Sequence, residues 1–162
     1  MFKLFKKTVS TENKGIVAPA DGNMFSIENV SDPMFAQKLL GDGVAFKYEG
    51  DSVVVCAPAS GSLSALFPTG HAFGVTTPEG VELLVHIGID TVSANGEGFK
   101  SLGKNQGDKV NAGDPVVEVD LKTLSEKFDM STMLIITNDN GKKIDFIEFG
   151  EVKKEQTICT LA

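Results

Sequence analysis

His71 and His86 are the two histidines of this 162-residue sequence, and histidine is the side chain whose ordinary pKa places its charge change near neutral pH. His86 lies in VELLVHIGID (81–90). Strict alternation there assigns Val81, Leu83, Val85, Ile87 and Ile89 to a core face, and Glu82, Leu84, His86, Gly88 and Asp90 to the opposite face. Gly88 has no side chain, so the imidazole two residues before it is open to close approach. His71 lies in FPTGHAFG (67–74), where Pro68 and Gly70 force a corner and Phe67 and Phe73 supply apolar anchors. The Thr69 hydroxyl, two residues away, is able to hydrogen-bond a ring nitrogen and set its tautomer.

Neutral imidazole is a competent nucleophile toward phosphorus, and a second imidazole can donate to phosphoryl oxygens as charge develops on them. The sequence has no GxxxxGK[ST] loop, so a nucleotide-driven kinase of that class finds no support. A catalytic zinc site normally takes three protein ligands, so Asp90 or another carboxylate would have to join the two histidines. Without HExxH or a CxxC pair, the expectation is no metal and no cofactor.

The elements around the histidines must bring them together. Seventeen glycines and six prolines punctuate apolar runs too short for long helices. The clearest runs are SVVVCA (52–57), VELLVHIGI (81–89), PVVEVD (115–120) and MLIITN (133–138), rich in the β-branched residues that suit strands. A turn at TTPEG (76–80) would make a hairpin that carries both histidines on neighbouring segments. Short helical turns are expected at 32–40 and 121–128, with Leu121, Leu124 and Phe128 at helical spacing. Ala18-Pro19-Ala20-Asp21-Gly22 returns as Ala57-Pro58-Ala59-Ser60-Gly61, and GDKVNAGDPVVEVD (107–120) repeats the construction with other residues. Related β-corners packed against one another follow, in an all-β, compact antiparallel barrel or sandwich.

Length and charge narrow the functional classes. The chain is long enough for one domain, read as residues 16–162 behind a basic leader, 1–15. That leader sets Lys3, Lys6 and Lys7 among Phe2, Leu4 and Phe5, so residues 1–12 offer at most a weak contact with anionic lipid. Met1 and the leader favour a free-standing protein. Twenty-two acidic against fifteen basic side chains leave a net charge of −7, which excludes nucleic acid as the main partner. No apolar run is long enough to span a bilayer or form a secretory core, so a cytoplasmic location is expected. Cys56 and Cys159 read as buried, inert thiols.

LLVHIGIDTV (83–92) followed by NGEGF (95–99) resembles the active-site region of the glucose-type enzyme IIA family. These are phosphocarriers of the bacterial phosphoenolpyruvate-dependent sugar phosphotransferase system. The resemblance continues through VAPADG, DPMFAQKLLGDG, VCAPASG, FPTGHAFG and GDKVNAGDPVVEVDL, covering about residues 16–138 in order. It implies an all-β barrel or sandwich and an enzyme of the protein-histidine phosphotransferase kind. His86 would accept a phosphoryl group on Nε2 from the phosphohistidine of HPr and pass it to a cysteine of a IIB domain during sugar uptake. His71 would contact the phosphoryl oxygens, with Thr69 bonded to it, and Asp90 would help organise the site or receive a partner's cation. Along a straight strand, Asp90 lies about 13 Å beyond His86, so this role requires a bend.

An apolar docking surface is expected around the histidines, with Met34, Phe35, Phe67 and Leu84 as candidates. Gly70 stands where relatives often carry a larger polar residue, and Leu84 where an aromatic is common; both bear on partner selectivity. After about residue 138 the match is less clear, and Ile144, Phe146, Ile147 and Phe149 are assigned to closing the barrel. The alternative role is a regulatory module whose protein targets depend on its phosphorylation state. A biotinyl or lipoyl carrier domain would need an MK hairpin, and a related zinc peptidase an HxH pair; the sequence has neither.

Overall fold

The computed structural model describes residues 15–161; the basic leader lies outside the described residues except for Gly15. Fourteen strands run β1 (Ile16–Val17), β2 (Gly22–Ser26), β3 (Asp42–Lys47), β4 (Ser52–Cys56), β5 (Gly61–Leu66), β6 (Ala72–Thr76) and β7 (Glu82–Ile87). They continue as β8 (Phe99–Ser101), β9 (Lys109–Val110), β10 (Pro115–Asp120), β11 (Thr132–Asn138), β12 (Ile144–Phe146), β13 (Gly150–Val152) and β14 (Thr157–Leu161). The four apolar runs singled out in the sequence become β4, β7, β10 and β11. Among the described residues helix is confined to short turns. Pro33–Ala36 starts at Asp32, whose carboxylate accepts from Met34 N–H, and Leu121–Leu124 starts at Asp120, which accepts from Thr123 N–H.

The strands form one eight-stranded antiparallel sheet, ordered β13-β2-β3-β11-β7-β6-β5-β9, and two three-stranded sheets, β1-β14-β12 and β4-β10-β8. The Ala-Pro-Ala echo explains this order. Val17 N–H donates to Pro58 O at 2.7 Å, and Cys56 N–H donates to Pro19 O at 2.9 Å, so the two corners exchange equivalent bonds. The equivalence extends outward: Ala18 N–H reaches Gln156 O as Ala57 N–H reaches Asp114 O. Lys154 N–H is held by the Asp21 carboxylate, and Ala112 N–H by the Ser60 hydroxyl. Under this pseudo-twofold relation β13, β2, β3 and β11 correspond to β9, β5, β6 and β7. The long sheet therefore reads alike from either end, with the axis between β11 and β7. Only β7 carries a histidine; opposite His86 on β11 stands Met133.

Burial follows the alternation along β7. Val81, Leu83, Val85 and Ile87 are essentially inaccessible in the main core, with Phe46, Phe73, Leu63 and Leu134. Each such side chain contributes about 1.5–3 kcal/mol of burial relative to exposure. Ile89 departs from the expected face. It packs in a second cluster with Ile27, Val30, Phe35, Ala45, Met133 and Ile135. The strand ends at Ile87, and Gly88 (φ +81°) and Asp90 (φ +61°) both take left-handed backbone conformations, which breaks the period-2 pattern just after His86. Near the end of the chain, Ile144 and Phe146 lie half-buried against the core, while Ile147 and Phe149 are exposed. Both cysteines are buried, and burial pushes their thiols up from the usual range.

Candidate functional site

The hairpin of β6 and β7 pairs Ala72 with His86 and Thr76 with Glu82. Its turn is closed by Thr77 N–H to Val81 O at 2.9 Å and by Val81 N–H to the Thr77 hydroxyl at 3.1 Å. His71 stands one residue before β6, and its carbonyl accepts from Ile87 N–H at 2.7 Å. The two imidazoles are thereby brought edge to face, with centroids 5.2 Å apart and ring planes at 80°. Gly70 makes the corner before His71 with φ +79° and donates its N–H to Phe67 O.

Each ring is tethered through Nδ1. His86 Nδ1 lies 2.9 Å from Gly88 O. A carbonyl only accepts, so Nδ1 carries the proton and the neutral ring keeps its lone pair on Nε2. The Thr69 hydroxyl bonds His71 Nδ1. With that hydroxyl donating, His71 bears its proton on Nε2. One ring then offers a nucleophilic lone pair and its neighbour an N–H donor.

Burial pushes the His71 pKa below its ordinary 6.5, and the adjacent His86 adds to the shift. His86 is also lowered, chiefly by burial, against the opposing influence of the Gly88 carbonyl, Asp32 and Asp90. Asp90 thus acts on His86 despite the strand arithmetic, because the chain bends at Gly88. Both shifts favour the neutral imidazoles at pH 7. Their depressed folded values mean that the unfolded chain takes up protons first on acidification. Stability is therefore full above the unfolded value of 6.5 and is lost as pH falls through the folded values. Urea unfolding midpoints should stay level between pH 7 and 8 and decrease below 6.5. In a His71→Gln, His86→Gln double variant the part of that decrease due to these two rings should disappear.

Aromatic rings flank the pair. Phe35 lies 5.0 Å from His86 at 51°, and Phe67 lies 5.3 Å from His71 at 76°. Phe35 is buried in the second cluster, with Leu84 half-buried against it, so these two back the site from beneath. Met34 and Phe67 are exposed at 50% and 43%. Leu39, beyond the Phe35 turn, and Val92, beyond Asp90, are exposed at 67% and 55%. All four are large apolar side chains left in water. Clefts of about 280 and 310 Å³ lie elsewhere, lined by residues such as Phe99 and Glu118 in one and Asp42 and Ile144 in the other. Among the described residues, no cluster of three or more His, Cys, Asp or Glu side chains is placed to hold a metal ion.

Sequence reasoning did not single out three of these residues and misread a fourth. Asp32 appeared only within a helical segment, although an aspartate before Pro33 is a helix-start signal. Val92 and Leu39 carried no periodic signal. Gly88 was read as open space, whereas its carbonyl is the tether of His86. A Cβ there would fall 2.5 Å from Thr91 Cγ2 and 2.9 Å from Met130 Sδ, at a φ that L-residues rarely adopt. Gly88→Ala is expected to cost about 1–3 kcal/mol in urea unfolding. It should also loosen the Nδ1–H tautomer of His86, read from imidazole 15N shifts; wild-type values of both quantities would contradict the tether.

Comparison with known proteins gives the family of the chain. The family model described as phosphoenolpyruvate-dependent sugar phosphotransferase system, EIIA 1, matches residues 14–142. The chain belongs to that family. This EIIA chain is 42% identical over 151 residues to the glucose-specific EIIA component of Mycoplasma capricolum, covering 93% of this chain and 96% of the relative. It is 45% identical to the glucose-specific EIIA component of Halalkalibacterium halodurans over 143 residues, 85% of this chain and 81% of that one. A glucose-specific EIICBA component of Staphylococcus carnosus is 38% identical over 90% of this chain, which spans 22% of that longer protein. The solved structure of glucose permease IIA from Mycoplasma capricolum superposes with a TM-score of 0.83, covering 91% of this chain and 94% of that one. The EIIA assignment makes the chain a component of sugar phosphotransfer, and its antiparallel β architecture is that of the solved relative. No helix among the described residues is long and apolar enough to cross a membrane.

Proposed function

We propose that this EIIA chain carries the phosphoryl group on His86 Nε2, receiving it in the cytoplasm from the phosphohistidine of HPr and passing it to a cysteine of a IIB domain. The observation that carries this reading is the His86 Nδ1 to Gly88 carbonyl bond beside the His71 ring. The Nε2 lone pair attacks phosphorus in line, the bond from phosphorus to the donor imidazole breaks, and its electron pair returns to that ring. His71 Nε2–H donates to an equatorial oxygen as charge shifts among the oxygens.

The same tether serves the second transfer. Because Nδ1 keeps its proton, His86 leaves phosphorus as neutral imidazole rather than as an imidazolate, while the cysteine sulfur of the acceptor forms the new bond. Exposed Met34, Phe67, Leu39 and Val92 supply a face that both partners cover in turn. Asp32 and Asp90 beside His86, in a chain of net charge −7, favour partners that approach with basic side chains.

Incubation with phosphoenolpyruvate, enzyme I and HPr should place one acid-labile phosphoryl group on the chain. Mass spectrometry without acid treatment, together with 15N shifts of the imidazoles, should locate it on Nε2 of residue 86. A label on Nδ1 or on another residue overturns the assignment.

A further inference from the structure

The carbonyl that tethers His86 belongs to the peptide joining Gly88 and Ile89. A peptide is planar, so the direction of its C=O is fixed by whatever holds its N–H. Ile89 N–H donates to Asp129 O at 2.8 Å, and the preceding Gly88 N–H donates to Ser131 O at 2.9 Å. Met130, between those two acceptors, packs against the Gly88 backbone. The 129–131 turn therefore grips both sides of the residue on which the His86 tautomer depends.

That turn is itself held by one carboxylate. Asp129 Oδ1 accepts from Ser131 N–H at 3.0 Å and from the Ser131 hydroxyl at 2.7 Å, which closes an Asx-turn. Asp129 Oδ2 accepts from the Ser31 hydroxyl at 3.3 Å. Ser31 immediately precedes Asp32 and the turn bearing Phe35, whose ring lies against His86. One side chain thus ties together the segment that orients the acceptor ring and the segment that walls it.

We infer that Asp129 is a positioning residue for His86: its carboxylate closes the turn that aims the Gly88 carbonyl at Nδ1 and so keeps the acceptor lone pair on Nε2. The catalytic consequence rests on the Nε2 reading given above, but the tautomer itself is measured on the unphosphorylated full chain. Long-range 1H–15N imidazole spectra at pH 8 report which nitrogen of each ring carries the proton.

In the wild type, His86 should be protonated on Nδ1. Asp129→Ala should shift it toward a mixture of the two tautomers and leave His71, held by Thr69, unchanged. Initial rates of phosphorylation by phospho-HPr should fall about tenfold in kcat with little change in KM, the size expected for a modestly misplaced reacting group. Asp129→Asn, whose amide oxygen can still accept from Ser131 N–H, should restore both quantities most of the way. Should Asp129→Ala not give a folded spectrum, Asp129→Glu decides, because the longer side chain keeps the charge but not the Asx-turn geometry. A folded Asp129→Ala or Asp129→Glu chain with the wild-type His86 tautomer overturns the inference, even if its stability is reduced. A shifted tautomer with an undiminished phosphorylation rate leaves Asp129 as the orienting group and counts instead against Nε2 as acceptor.

Discussion

His86→Ala is expected to remove phosphoryl acceptance altogether, to below about 10⁻⁴ of the wild-type rate with phospho-HPr as donor. The size of this effect follows from how few substitutes the surroundings offer. Cys56 and Cys159 are buried with thiols pushed up from the usual range, so neither presents a thiolate to a docked partner. His71 is near but committed: its Nδ1 is engaged by the Thr69 hydroxyl, and with that hydroxyl donating, Nε2 carries the proton and neither nitrogen presents a free lone pair. The fold should tolerate the change, because His86 points away from the main core and its strand neighbours Val85 and Ile87 keep their burial. Thermal unfolding alongside a 32P transfer assay separates loss of chemistry from loss of structure. A folded His86→Ala chain that still takes up label would place the acceptor elsewhere.

Much of this arrangement could be read from the residues, and the failures share one physical origin. Alternation along 81–87 located the core face correctly because a half-buried strand must repeat every two residues. The hairpin through 76–80 was legible from Thr, Pro and Gly at its turn. The resemblance supplied the pairing of His71 with His86, which register alone left open. Ile89 was misassigned because the period-2 rule holds only while the backbone stays extended, and Gly88 ends that extension. The same bend keeps Asp90 electrostatically coupled to His86, and it aims the Gly88 carbonyl that selects the tautomer. A glycine two residues after a histidine indicates room, but says nothing of where its carbonyl points. The pseudo-twofold relation was visible only as an echo between 18–22 and 57–61. Its second half pairs 111–114 with 153–156, where Asp114 and Gln156 close equivalent turns through different side chains. Backbone geometry is shared there while residue identity is not, so sequence comparison alone sees half of the symmetry.

His71→Ala should separate taking up the phosphoryl group from moving it on. On the proposed assignment the nucleophile at His86 remains, so excess phospho-HPr should still label the chain to the wild-type extent. Transfer to the IIB cysteine should slow by about 10²–10³-fold, the usual effect of deleting one donor to oxygens that gain charge in a transition state. The donor matters more after His86 is loaded. A dianionic phosphoryl group beside His71 favours its charged form, opposing the depression caused by burial and by the neighbouring imidazole. The His71 pKa, followed by 15N shifts, should therefore rise when His86 is phosphorylated. Because His71 is buried at 3% exposure, truncation also leaves a space, and His71→Gln serves as the control that fills part of it while keeping an N–H. Partial recovery with glutamine but not alanine would identify hydrogen-bond donation as the contribution of His71. Equal deficits in the two variants would point to packing of the β6–β7 corner, and wild-type transfer by the alanine variant would remove His71 from the reaction. Thr69→Val adds the remaining step: with the hydroxyl gone, the His71 tautomer is no longer held, and transfer should fall by about tenfold while the imidazole is still present.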